Sequence, residues 1–212
     1  MSRLFESLFG RYGRVGKSPS VGGGTYQWAN YCYLDLSFEF LLEKPARIPA
    51  DILSDDDLFL AFLAGYLDAE GNFRIYPDGD WAGFALRVNS EDEYVLRDIA
   101  TRLRSMGYHV FFKLAVKHEL SNKHRRDVWS LGMFRKTEIL RLVKRLPLVH
   151  EEKIRWSKLM IEHGDARWSQ VEDAVSQLRT DILKERTDYS AVAESAYKKS
   201  HLAETIAPVQ AP

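Results

Sequence analysis

The stretch DDDLFLAFLAGYLDAEGNFRIYPDGDWAGFALRVNS, residues 55–90, decides the fold of this 212-residue chain. Asp55, Asp56 and Asp57 put carboxylates where an N-cap and a first helical turn want them, ahead of the apolar run Leu58–Leu67, so a helix starts here and stops at Gly71. Residues 72–77 (NFRIYP) alternate, PDGD at 77–80 is a turn, and 81–90 (WAGFALRVNS) alternate again, which predicts a β-hairpin. Within the helix Ala61, Gly65 and Ala69 recur at i, i+4 and i+8, so one face is made of small residues that would let a second helix come very close. Asp68 and Glu70 stand at the helix C-terminus, where the dipole disfavours carboxylates unless a cation compensates. Oxygen ligands of this kind suit Mg²⁺, and phosphodiester cleavage is a common use of that ion, although solvated surface acids are the plainer reading of the same pair.

Downstream the pattern continues. Ser90 with Glu93 forms a capping box for a helix whose apolar positions are Val95, Ile99, Leu103 and Met106, closed by Gly107. A second hairpin is predicted from strands near 109–117 and 127–134 joined by ELSNKHRR, and a third helix, 135–146, carries Ile139, Leu142, Val143 and Leu146 on one face before Pro147. The order is αββαββα: an α+β unit with a four-stranded antiparallel saddle sheet covered by helices on one face. Alternation puts Arg87 and Asn89 together on the other face, with Arg74 and Tyr76, and Lys113 and Lys117 with Phe111 and Ala115. Such a ribbon suits the DNA major groove, where Arg and Lys read guanine and Asn reads adenine; an ordinary half-solvated sheet alternates in the same way.

Charge supports a polyanionic partner only locally. The 30 basic and 30 acidic residues cancel, but the stretch 109–136 holds Lys113, Lys117, Lys123, Arg125, Arg126, Arg135 and Lys136 against Glu119 and Asp127, while residues 25–71 are strongly acidic. A basic surface next to an acidic segment is the layout of a protein that holds a polyanion and sets a metal beside it, and equally of two solvated faces. The lone Cys32 excludes an internal disulfide. No apolar run approaches the roughly 18 residues of a membrane span, and residues 1–17 lack the apolar core of a signal peptide, so a cytoplasmic chain without a membrane partner is expected. The histidines have no zinc spacing.

LAGYLDAEG, Leu63–Gly71, resembles the nine-residue motif of the LAGLIDADG homing endonuclease family, with Tyr66 for Leu, Leu67 for Ile and Glu70 for Asp. The motif stands on a helix directly before the first hairpin, as in that family, and PLVHEEKIRWSKL (147–159) is similar to a segment after the family's third helix. The resemblance implies a site-specific, Mg²⁺-dependent DNA endonuclease, other divalent cations being alternatives. It implies that motif helices of two units pack together through Ala61, Gly65 and Ala69. Glu70 would be the metal ligand, with the Ala69 carbonyl. Lys153 matches the position of the family's catalytic lysine, and Arg87 that of a polar residue ordering the attacking water. Double-stranded DNA would lie along Arg74, Tyr76, Arg87, Asn89, Lys113, Lys117, Lys123, Arg125 and Arg126.

One motif is half of what a double-strand cut needs. Residues 28–45 superimpose on 129–147, Trp28 against Trp129, and residues 4–17 resemble 101–113, so residues 1–50 read as the back half of a first repeat, with a linker between Pro45 and Pro49. Residues 51–163 form the complete repeat. Residues 164–212 are a helical extension, with an amphipathic helix at 168–186 marked by Trp168, Val171, Val175, Leu178 and Ile182, and a fraying end. Cleavage then requires a homodimer or a separately encoded partner half. A non-cleaving nucleic-acid binder, whether an RNA splicing maturase or a DNA-binding regulator, and an inactive remnant are the alternatives, as is an intron or intein origin for the mobile gene.

Overall fold

The computed structural model describes residues 2–22, 24–41, 45–119 and 126–206, in two compact units, one of residues 1–44 with 179–212 and one of residues 45–178. Of the basic loop, Lys123 and Arg125 lie outside the described residues, as does the end beyond residue 206. Among the described residues no helix is long and apolar enough to cross a membrane.

In the first unit, helix α1 (Ser2–Phe9) is followed by strands β1 (Val15–Gly22) and β2 (Thr25–Cys32), an antiparallel hairpin in which Pro19 opposes Trp28, and then by a 3₁₀ helix, Leu36–Leu41. The order is helix, strand, strand, 3₁₀ helix. The final element is a 3₁₀ turn rather than the amphipathic α-helix anticipated, with Asp35 accepting from the Ser37 amide at 2.8 Å in the manner of an Asx turn. Tyr26 of the hairpin meets Tyr197 (centroids 5.6 Å apart), and its carbonyl accepts from Ser190 Oγ.

The second unit begins with the short helix α2 (Ala50–Ser54) and then the helix that organises it, α3 (Asp56–Glu70). Asp55 caps α3 as the sequence predicts, its carboxylate accepting from the Asp57 and Leu58 amides at 2.8 and 2.9 Å. Asp56, in the first turn, takes an ion pair from Arg102 at 2.5 Å. Next come β3 (Gly71–Asp78), β4 (Trp81–Ser90), α4 (Glu93–Ser105), β5 (Phe111–Val116), β6 (Val128–Met133), α5 (Lys136–Val143), α6 (Glu151–Glu162) and α7 (Trp168–Ile206). The αββαββα order is therefore observed, and the sheet runs β3-β4-β6-β5, all antiparallel. Its two hairpins meet along β4 and β6, with β3 and β5 at the edges.

Alternation sets the core. Phe73 and Ile75 of β3, Phe84, Leu86 and Val88 of β4, and Leu131 and Met133 of β6 are buried, as are Phe59, Leu63 and Leu67 of α3, Val95, Ile99 and Leu103 of α4, and Ile139 and Leu142 of α5. Each such side chain contributes on the order of 1.5–3 kcal/mol on burial, which fixes the strand register, because a one-residue slip would turn the whole set into water. The PDGD turn closes with Gly79 at φ +58°, a left-handed conformation that favours glycine.

Two local readings are corrected, and two helical ones merge into one. Ser90 does not cap Glu93: its Oγ accepts from the Asp92 amide at 3.2 Å, and α4 starts behind Asp92 without a side-chain cap. Strand β5 carries a bulge between Leu114 and Val116, so Val116 pairs with Val128 and the alternation inferred through Ala115 to Lys117 is shifted by one. The amphipathic helix read at 168–186 and the weakly helical stretch read at 189–204 are one continuous helix, Trp168–Ile206; its residues Val171 and Val175 are fully buried in the second unit.

Candidate nucleic-acid interface and acidic centre

The sheet face away from the helices is built by cross-strand pairs. Asn72 opposes Arg87, Arg74 opposes Ala85, and Tyr76 opposes Gly83; further across, Asn89 opposes Ser130, Arg87 opposes Gly132, and Lys113 opposes Ser130 from the other side. Directly opposed residues share a face, so Asn72, Arg74, Tyr76, Arg87, Asn89 and Lys113 lie on one surface. All but the half-buried Tyr76 are exposed. Lys117 and Arg126 are exposed beyond the ends of β5 and β6. Arg87, Asn89 and Lys113 line a groove of about 640 Å³ together with Phe111, Ser130 and Phe134.

Two glycines in the middle of this surface make room for rings. A Cβ at Gly83 would come within 2.8 Å of the Tyr76 ring, and one at Gly132 within 2.3 Å of Phe111. Each ring therefore lies across the neighbouring strand, filling the gap that a side chain would occupy. Asn72, Ser130, Phe111 and Phe134 are absent from the binding residues expected; extending the alternation of Arg74 and Tyr76 back by two residues would find Asn72.

The motif helix ends beside this surface. Phe59, Leu60, Leu63, Ala64 and Leu67 bury one side of α3, while Ala61, Gly65, Ala69 and Glu70 are exposed on the other. Among the described residues no atom outside the helix's own backbone and the flanking residues lies within 4 Å of a Cβ built on Gly65. Phe62 and Tyr66 flank this small-residue face, stacked at 6.1 Å. The two acids have separated fates. Asp68 is buried, its Oδ2 accepting from the Val149 amide at 2.9 Å, so a backbone N–H just before α6 offsets the unfavourable helix end, in place of the cation expected there. Its Oδ1 has no hydrogen-bond partner among the described residues. Glu70, the last residue of α3, faces solvent.

Lys153 of α6 is buried and donates to the Gly71 carbonyl, one residue past Glu70. Arg87 opposes Asn72, two residues past Glu70, and its guanidinium lies 5.5 Å from the Phe134 ring. Glu70 precedes Gly71 in the chain, Lys153 reaches the Gly71 carbonyl from α6, and Arg87 is the ladder partner of Asn72, with its guanidinium beside Phe134. Tyr66, one turn before Glu70, donates to Asp92 Oδ2 at 3.4 Å; burial pushes its phenol up to about 12 against the lowering effect of a hydrogen bond with Ser90, and the Asp92 and Glu70 charges add smaller upward effects.

No protein-family model and no curated protein matches the chain. Among solved structures it is similar to the homing endonuclease I-CvuI in two DNA complexes. In one, crystallised with Mg, the identity is 21% and the TM-score 0.36, over 50% of this chain and 66% of that one. In the other, with Ca, they are 20% and 0.42, over 68% of this chain and 95% of that one. It is also similar to the LAGLIDADG meganuclease I-AabMI bound to uncleaved DNA, at 22% identity and a TM-score of 0.36, over 56% of this chain and 39% of that one. The chain therefore spans less than two thirds of the first and third of these chains. These three structures are of a homing endonuclease and a LAGLIDADG meganuclease, and Leu63–Gly71 resembles the motif that gives the LAGLIDADG family its name.

Proposed function

We propose that the chain is a site-specific DNA endonuclease of the LAGLIDADG homing type, hydrolysing phosphodiesters with a divalent cation, preferably Mg²⁺, at Glu70. The observation that carries this reading is the position of Glu70: an exposed carboxylate at the C-terminus of α3, joined through Gly71 to the first strand of a polar, cationic sheet face. A carboxylate there repels phosphate, so a surface that only bound nucleic acid would gain nothing from it.

The donor set fits a hard cation that keeps most of its water. Among the described residues no three His, Cys, Asp or Glu side chains cluster; the carboxylate this chain would offer is Glu70, with the Ala69 carbonyl as its partner. Mg²⁺ is commonly held by one or two carboxylates plus substrate phosphate, and when bound it supplies charge stabilisation at the transferring phosphoryl group and a more acidic water. The protein's own residues do the positioning. Lys153 fixes the Gly71 carbonyl and with it the backbone that carries Glu70, and Arg87 presents a guanidinium for a phosphate beside Asn72. The small-residue face Ala61, Gly65 and Ala69 is the surface on which a second copy, or a separately encoded half, would bring its own motif helix.

The test is selection of cut sequences from a random duplex library with Mg²⁺, followed by nicking assays on the selected site. Glu70→Gln is expected to abolish nicking while leaving the complex with DNA intact. Unaltered cleavage by that variant would overturn the metal assignment. A salt-dependent complex without any cleavage by the parent chain would replace the endonuclease with a non-cleaving binder.

A further inference from the structure

The Phe134 ring, 45% exposed, lies flat on Phe111, with centroids 5.2 Å apart and only 8° between the planes. Phe111 lies in turn over Gly132, where any Cβ would displace it. The pair forms a supported ridge between two grooves of similar size. One, of about 640 Å³, holds Arg87 and Lys113; the other, of about 630 Å³, holds Arg104 and Arg135. The Arg87 guanidinium is 5.5 Å from the Phe134 ring and the Lys113 ammonium 6.0 Å from Phe111. Neither cation is paired with a carboxylate among the described residues.

Hydrogen-bonding side chains such as Asn89 and Arg87 can read the edges of paired bases. A flat, exposed aromatic face makes no hydrogen bond to an edge; its only edge contact is with a thymine methyl, and its broad side is matched by the face of a base, which in a paired duplex is covered by its neighbours. The unpaired Arg87 and Lys113 beside the rings suit a phosphate next to a base that has left the stack, whereas across the ridge Arg135 is paired with Glu138 and Arg104 donates to the Val110 carbonyl. Building on the nucleic-acid reading of this surface, we infer that the Phe134–Phe111 stack receives one unpaired nucleobase within a DNA duplex. The duplex, rather than a lone strand, follows from width: four strands about 4.8 Å apart place polar side chains from Arg74 to Lys113 over roughly 15 Å, comparable to a major groove about 12 Å wide.

The experiment uses the full chain, without added metal, and three DNA probes at one salt concentration: a paired duplex, the same duplex carrying one unpaired 2-aminopurine, and a single strand carrying 2-aminopurine. Anisotropy gives affinity and 2-aminopurine emission reports stacking. The parent chain is expected to bind the duplex with the unpaired base roughly tenfold more tightly than the paired one and to quench its emission, as the stacking of one base on one ring would give. Phe134→Leu, which keeps an apolar side chain on Phe111, is expected to bring the affinity ratio close to one and to abolish the quench. Equal affinities without quenching, or a quench that survives in Phe134→Leu, would overturn the inference while leaving the nucleic-acid interface standing. Preference for the single strand over both duplexes would overturn the choice of a duplex ligand. Failure to bind any probe would remove the interface itself.

Discussion

The buried ammonium of Lys153 donates to the Gly71 carbonyl, tying α6 to the backbone immediately after Glu70. A buried charged group is tolerated when it has such a partner, and removing the donor strands the acceptor. Lys153→Met keeps the length of the side chain and loses the hydrogen bond, so it should destabilise the fold by about 1–3 kcal/mol, seen as a lower urea midpoint with an unchanged slope. Because the lost tie holds the segment carrying Glu70, nicking should also fall by roughly a hundredfold or more where the variant is fully folded. A folded variant that cuts at the parent rate would reduce Lys153 to a stabilising contact.

Gly65 separates folding from pairing. It is exposed in mid-helix, and among the described residues nothing outside its own helical backbone lies near its absent Cβ, so none of them requires glycine there. Gly65→Ala should therefore stabilise the isolated chain by about 0.5–1 kcal/mol through helix propensity. Gly65→Leu should fold equally well but block close approach of a second motif helix. Light scattering on the parent and on Gly65→Leu, each with target DNA, distinguishes the two effects; a paired mass for the leucine variant would rule out this face as the junction.

Phosphate contact predicts a salt signature. If Arg87 and Lys113 each neutralise one phosphate, replacing either by Gln should lower the slope of log K against log salt by about 1 and weaken binding to all sequences. Loss of discrimination at one base position without a change in slope would mean that the residue reads a base edge instead.

Much of the fold is legible in the amino-acid sequence because the deciding patterns are local. The carboxylate of Asp55 and its two amide partners lie within three residues, and the alternation of Phe73 and Ile75 against Phe84 and Leu86 sets the hairpin register without help from the rest of the chain. What the sequence conceals depends on partners far away in it. Helical spacing puts Asp68 on the buried face with Leu60 and Ala64, away from Glu70, but its hydrogen-bond partner, the Val149 amide, lies 81 residues on and is not legible from that spacing. The β5 bulge turns on how Val116 meets Val128 across the intervening loop, and strict alternation has no way to signal an extra residue. Phe134 ends the strand read at 127–134, where alternation puts it on the face of Ser130 and Gly132, but spacing within one strand carries no sign of its stacking on Phe111 of the neighbouring strand.

Tyr66 gives a prediction of opposite character, one that depends on pH. It stands where the family motif has Leu, and burial is the main reason that its phenol titrates near 12 instead of near 10, with the Asp92 and Glu70 charges adding to it. A phenol whose folded value is raised holds its proton after the unfolded chain has lost it, so the folded state binds more protons between those values. The associated stability is complete below about pH 10 and drains away as pH rises toward about 12. Other tyrosines titrate in the same region, since the chain has 10. Comparison with Tyr66→Phe isolates the one that matters. Urea midpoints measured from about pH 9 upward should fall more steeply for the parent than for Tyr66→Phe, and the gap should change across the window between the two values and not below it. Parallel curves would show that the Tyr66 hydroxyl is hydrated in the folded state, and that the contact with Asp92 does not hold the motif helix to the start of α4.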